Sequence, residues 1–315
     1  MTAPAGRREG QVIGGESLLV RYLNFVKLPH TLFALPFALV GATLASYEQP
    51  VTWRALGWIV VAFTTVRFAA MGFNRIVDRD IDARNPRTAR RELPAGTLTM
   101  RQAAAAVLVA SLLFMYSAWQ LNPVCGWLSP LALGWVLSYS YTKRFTRWSH
   151  IVLGVSLSIA PVGGYLAIAG QWSDPAWVLL VLAAAVASWV AGFDILYALQ
   201  DETFDVAQGL HSIPVAFGAE RAVRISQALH AITVVSLVAV GWGTGAGWLY
   251  GAGVVVAASL LLYEHSLVKP NDLRRLDAAF FTMNGVISIA FFVFVLAERL
   301  MRMNGTADAL LTGLR

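Results

Sequence analysis

The sequence predicts an all-α, polytopic membrane protein of about nine transmembrane helices around a central cavity. Three observations carry that reading. Hydrophobic residues make up 57% of the 315 and charged residues only 13%, a balance too apolar for a soluble domain of this length. Apolar runs of membrane-spanning length recur along the chain between short polar breaks. Lysines and arginines gather in alternate breaks, so the net charge of +6 marks membrane topology and not a nucleic-acid surface.

Residues 1–22 read as a disordered cytoplasmic tail without a signal-peptide core, 23–299 as one transmembrane domain, and 300–315 as a C-terminal tail. The first span, from Leu28 to Ser46, carries Pro36, which is expected to kink it. The second runs from Ala55 to Val77 into an acidic stretch. The third, Gln102 to Leu121, stops at the turn Asn122-Pro123, which opens the fourth, Gly126 to Tyr141. Ile151 to Ala169 forms the fifth, where Pro161 is a second kink and Gly154, Gly163 and Gly164 permit close helix packing. After Asp174-Pro175, the sixth span from Ala176 to Leu199 enters a second acidic stretch. A glycine-rich turn, Gly243 to Gly247, separates the seventh span, Ile225 to Trp242, from the eighth, Trp248 to Tyr263; Phe280 to Ala297 is the ninth. Cys125 is the single cysteine, so no internal disulfide contributes.

The breaks that receive Arg7, Arg8, Arg21 and Lys27, then Arg79 to Arg101, Lys143 to Arg147, Arg221 and Arg224, and Lys269 to Arg275 all fall on one side. The other side holds Arg54 and the tail arginines. This imbalance puts the N-terminus and the charged loops in the cytoplasm and the C-terminus outside. Trp172, Trp177, Trp242 and Trp248 mark the opposite interface.

Both acidic stretches then face one compartment. In the first, Asn74, Asp78 and Asp82 are spaced by four and stack on one helical face. Arg67 lies seven residues earlier, about 10 Å deeper along the axis. In the second, spacings of seven and eleven put Asp194, Asp201 and Asp205 within about 40° of one another on a continuous helix, with Tyr197 a turn from Asp194. The pairs Asp78 with Asp82 and Asp201 with Asp205 repel unless a cation lies between them. Oxygen-only ligands without His or Cys favour Mg²⁺ or Ca²⁺ over zinc. Mg²⁺ commonly completes its shell with phosphate oxygens, which points to a diphosphate bridged by metal ions, with Arg67, Lys143 and Arg144 as direct counter-charges. His30, His150, His211, His230 and His265 share no ligand spacing and read as packing residues.

The paired motifs, Asn74-x-x-x-Asp78-x-x-x-Asp82 and Asp194-x-x-Tyr197-x-x-x-Asp201-x-x-x-Asp205, resemble the signature of the UbiA superfamily of intramembrane aromatic prenyltransferases. Thr88-x-x-Arg91-x-Leu93-Pro94-x-Gly96 and Lys143-Arg144-Phe145 add to the likeness, and Lys27 to Pro36 resembles the first helix of members of the 4-hydroxybenzoate polyprenyltransferase type. The resemblance implies Mg²⁺-dependent transfer of a polyprenyl group from polyprenyl diphosphate to an aromatic acid in quinone biosynthesis. Asp78, Asp82, Asp201 and Asp205 would hold the metal, and Asn74, Arg67, Lys143 and Arg144 the diphosphate. Asp194 and Tyr197 are candidates to assist loss of the ring proton. The loops Ala83 to Thr99 and Glu202 to Glu220 are expected to cap the site against water. A naphthoate acceptor for menaquinone stays open beside 4-hydroxybenzoate. A divalent-cation carrier is the rival of another class, although it predicts acids near the membrane midplane.

Overall fold

The computed structural model describes residues 17–26, 34–268, 276 and 282–312, with the side chains of 19 and 304–312 excepted. The tail to residue 16, the stretch 27–33 with Lys27 and His30, the basic residues Lys269, Arg274 and Arg275, and the predicted ninth-span start at Phe280 lie outside these. The described residues are helical and contain no strand. The helices are α1 (Leu18–Phe25), α2 (Leu35–Ala45), α3 (Trp53–Val77), α4 (Arg79–Arg84), α5 (Met100–Leu121), α6 (Pro123–Ser138), α7 (Ser149–Ala169), α8 (Ala176–Ala198), α9 (Glu202–Ala207), α10 (Ile213–Phe217), α11 (Ala219–Gly243), α12 (Trp248–Leu267) and α13 (Asn284–Thr312). Each of the predicted spans overlaps one of the longer of these. α1 crosses the expected boundary at residue 22.

Local chemistry sets the ends. Thr52 caps α3 through the Ala55 amide, Thr99 forms a capping box with Gln102 at the start of α5, and Asn122 caps α6 ahead of Pro123. α7 closes on Gly170 at φ 67°, a left-handed position that glycine fills without strain. Among the described residues, five helical runs are long and apolar enough to cross a membrane: α3, α5, α7, α11 and the run from Ala176 to Ala207.

Two rings of helices share the pair α2 and α7. One ring runs α2, α7, α8, α11, α12, α13 and back to α2. Its interior is packed solid by Phe37, Leu182, Trp189, Tyr250 and Phe291. The other runs α2, α3, α5, α6, α7 and encloses an apolar chamber of about 330 Å³. The shared pair crosses closely: a Cβ on Gly41 would overlap the Pro161 carbonyl, and one on Gly164 the Ala38 carbonyl. Small residues give this backbone approach its room, since lipid supplies no hydrophobic drive for helix association.

At one end of the bundle, Arg299 binds Ser46, Arg302 binds the Gly245 carbonyl and Glu298, and Trp177 lies 6.0 Å from Trp242. The acidic motifs lie at the other end. Gly164→Val is expected to destabilise the protein by at least about 1–3 kcal/mol through overpacking. Gly163→Ala, whose Cβ meets nothing within 4 Å, should stay within about 0.5 kcal/mol. Thermal melting of both in detergent checks the pair, and equal melting would refute the close-crossing account.

Candidate active site

α3 ends at Asp78, which has φ −92° and ψ 6° and starts the short α4. The second motif breaks in the same way: α8 stops at Ala198, a 3-10 turn carries Leu199–Asp201, and α9 follows. The predicted acidic stripe on a continuous helix is therefore interrupted at Asp201. The break lets Asp201 turn toward the segment after α4, which folds over the cleft and supplies its partners.

Both motifs line one polar cleft of about 170 Å³. Its walls include Asn74, Asp78, Asp82, Lys143, Arg144, Asp194, Tyr197, Asp201 and Asp205, so every predicted site residue but Arg67 is gathered there. Asn74 Nδ2 donates to Asp78 Oδ2 at 3.0 Å, and Arg144 Nη2 donates to Asp78 Oδ1 and to the Val77 carbonyl, both at 2.9 Å. Arg91 Nη1 reaches both oxygens of Asp82, at 2.9 and 3.0 Å. Arg87 grips Asp201 in fork geometry, Nε to Oδ1 at 3.0 Å and Nη2 to Oδ2 at 2.6 Å, and its Nη1 reaches the Tyr197 hydroxyl at 3.2 Å. Asn85 Nδ2 adds 3.2 Å to Asp201 Oδ1. Lys143 lines the cleft without an ion pair among the described residues. Burial pushes the Asp78 carboxyl up from its ordinary range, while the Arg144 guanidinium pulls it down and Asp82 adds to the rise.

Arg84 Nη1 and Gln208 Oε1 join the segments that follow the two motifs at 2.8 Å, and the His211 amide binds the Lys143 carbonyl at 2.8 Å. Arg75, buried at the end of α3, pairs with Glu92 and anchors the first loop from below.

Three residues stand elsewhere than the sequence places them or do more than it assigns. Arg67 lines the apolar chamber instead of the cleft, because seven residues of helix set it deeper than Asn74. Its Nε is buried and has no hydrogen-bond partner. Arg87 belongs to a basic loop that reads as a topology signal, and nothing in its spacing identifies the partner Asp201, 114 residues away. His150, read as packing, hydrogen-bonds Asp194 at 2.7 Å.

Among the described residues, no three acidic, His or Cys side chains cluster closely enough to hold a metal alone. The donor set still fits Mg²⁺, which needs only one or two protein carboxylates when phosphate oxygens and water complete its octahedron. Asp205 Oδ2, buried without a hydrogen-bond partner, is the oxygen most in need of a cation.

The chain matches the UbiA prenyltransferase family over residues 34–286. It is 31% identical over 241 residues to a 4-hydroxybenzoate octaprenyltransferase of Aromatoleum aromaticum, covering 76% of this chain and 80% of that one. It is likewise 31% identical over 246 residues to the protein of that name from Methylobacillus flagellatus, covering 78% and 81%. Among solved structures, the apo UbiA homologue of Aeropyrum pernix superposes with a TM-score of 0.78 at 33% identity, over 85% of this chain and 98% of that one. A UbiA homologue of Archaeoglobus fulgidus bound to GPP and Mg²⁺ shares the fold at TM-score 0.65 and 20% identity, over 89% and 99%. The paired acidic motifs on one cleft, the apolar spans and these likenesses agree: the chain belongs to the UbiA prenyltransferase family, as an integral-membrane enzyme of aromatic prenyl transfer.

Proposed function

We propose that this enzyme transfers a polyprenyl group from polyprenyl diphosphate to a 4-hydroxybenzoate-type acid, with Mg²⁺, for quinone biosynthesis at the cytoplasmic face of the bacterial inner membrane. The observation that carries the reading is the pairing of a carboxylate and guanidinium cleft with an apolar chamber holding one arginine. The names of the curated relatives support the acceptor, and the GPP and Mg²⁺ held by the Archaeoglobus fulgidus homologue support the donor and the ion.

Arg87, Arg91, Lys143 and Arg144 orient the diphosphate, and Asp78, Asp82, Asp201 and Asp205 would hold the ion. Mg²⁺ bound there neutralises the leaving diphosphate. The isoprenoid extends into the apolar chamber between α2, α3, α5, α6 and α7, which opens toward lipid. Arg67 has a fixed charge in that chamber and no anion beside it, so its fitting partner is the carboxylate of the aromatic acid rather than the diphosphate. This orientation turns the ring carbon beside the phenol toward the allylic carbon. Asp194, on the cleft wall, accepts the ring proton. The capping loops exclude water, which would otherwise capture the allylic cation.

Asp78→Ala and Asp201→Ala should each lower turnover by about 10²-fold or more while the protein stays inserted and folded. Full activity of either purified variant would sink the assignment. Chelation with EDTA should stop the reaction and added Mg²⁺ restore it. Arg67→Leu should raise KM for 4-hydroxybenzoate by roughly 30-fold or more and leave KM for the prenyl diphosphate unchanged. The reverse split would return Arg67 to the diphosphate. Mass analysis of products from 4-hydroxybenzoate and from a dihydroxynaphthoate decides the acceptor.

A further inference from the structure

The partners of the cleft aspartates sort them by chemistry. Asp78, Asp82 and Asp201 each face a guanidinium, that of Arg144, Arg91 and Arg87 respectively. A guanidinium never releases its proton, so each of these carboxylates is committed to a permanent ion pair. Asp205 keeps a buried oxygen suited to a cation. Asp194 differs from all of these. Its Oδ2 meets an imidazole nitrogen, His150 Nδ1, at 2.7 Å. The carboxylate only accepts, so Nδ1 carries the hydrogen.

The fold builds this contact deliberately into the α7 and α8 interface. His150 sits in the first turn of α7, six residues after Arg144. One turn further on, Gly154 brings the α7 backbone against the Ala187 carbonyl of α8, where a Cβ would overlap it. That approach seats the imidazole against α8 at the level of Asp194. The His150 side chain is 1% exposed and that of Asp194 16%, so the carboxylate lies on the cleft side and the imidazole behind it.

We propose that His150 is a positioning residue for Asp194, locking the carboxylate so that the oxygen it does not bind takes the proton from the prenylated ring. The inference rests on the prenyl-transfer reading above. In the step itself, the allylic C–O bond breaks with its electron pair leaving on the diphosphate, and a ring π pair makes the new C–C bond. The C–H pair at that carbon then returns to the ring as the proton passes to Asp194, and the departing diphosphate carries the proton away. Without the Nδ1 hydrogen bond the carboxylate turns freely about its side-chain torsions, and the last transfer loses its geometry.

The test compares His150→Leu with His150→Asn in the purified full chain with Mg²⁺, using 4-hydroxybenzoate with and without deuterium at the ring position attacked. His150→Leu should lower kcat by roughly 10²-fold, leave KM for the prenyl diphosphate unchanged, and make the rate sensitive to ring deuterium. His150→Asn, whose amide can replace the Nδ1 donor, should recover most of kcat and lose the isotope effect. A retained rate in the leucine variant, a loss without an isotope effect, or an equal loss in both variants from misfolding or any other cause would overturn the proposal. A wild-type enzyme that prenylates no hydroxybenzoate would overturn the parent reading and this one with it, and needs no variant to be recognised.

Discussion

The structure depends on one electrostatic constraint: acidic side chains are concentrated at the inner rim of an apolar bundle and must be neutralised where water is scarce. Removing one partner of a buried ion pair costs about 3–5 kcal/mol, because the charge left behind has no solvent to receive it. Arg144, Arg91 and Arg87 meet that demand for Asp78, Asp82 and Asp201. Two of the three come from the segment between α4 and α5, which has little regular structure of its own. Its conformation is therefore set by the charges it covers, together with the Arg75–Glu92 pair beneath it and the Thr88 hydroxyl on the Asp82 carbonyl at 2.9 Å. The segment that lies along the cleft and two of the groups that neutralise it are thus the same residues.

The two cavities differ sharply in polarity. The cleft is walled by charge and the chamber almost wholly by alkyl and aromatic groups, with Arg67 and small polar residues as exceptions. An isolated arginine in such surroundings is costly to keep and marks a functional position. Its depth follows from helical rise alone: seven residues separate it from Asn74, so α3 serves both compartments from one continuous helix. Trp189, Phe37 and Phe291 fill the ring on the far side of α2 and α7 and hold the shared pair rigid.

How much of this was legible follows from the range of each interaction. Apolar spans and the turns between them are local, and the helices begin and end near the residues that signal them, as Asn122-Pro123 does for α6; Pro36, expected to kink a span, instead sits in the first turn of α2. The four-residue spacing of Asn74, Asp78 and Asp82 correctly put them on one cleft, because a helix and a single turn preserve that face. The Asp201 break was not legible, since it answers to Arg87 and Asn85 more than a hundred residues earlier. His150 escaped for the same reason: its meaning lies in Asp194, 44 residues on, and no periodicity links them. Spacing singles out Arg67 but not its neighbourhood in the apolar chamber, because depth along a helix does not say which cavity surrounds it.

The direction of the helices explains why the cleft needs so many cations. α3 delivers Asp78 from its C-terminal end, and Asp201 follows the C-terminal end of α8 by one 3-10 turn, with Asp205 carried onward by α9. A helix C-terminus carries partial negative charge of about half an electron, so the two main supports add to the repulsion that their aspartates already exert. Phosphate sites built on helix N-termini draw anions with backbone amides; these two supports would drive a diphosphate away. Guanidinium groups and Lys143 are thus required by the architecture and are not an accessory to it. Under the proposed reading, the same negative field would draw a divalent ion to the cleft and make a diphosphate's stay conditional on it.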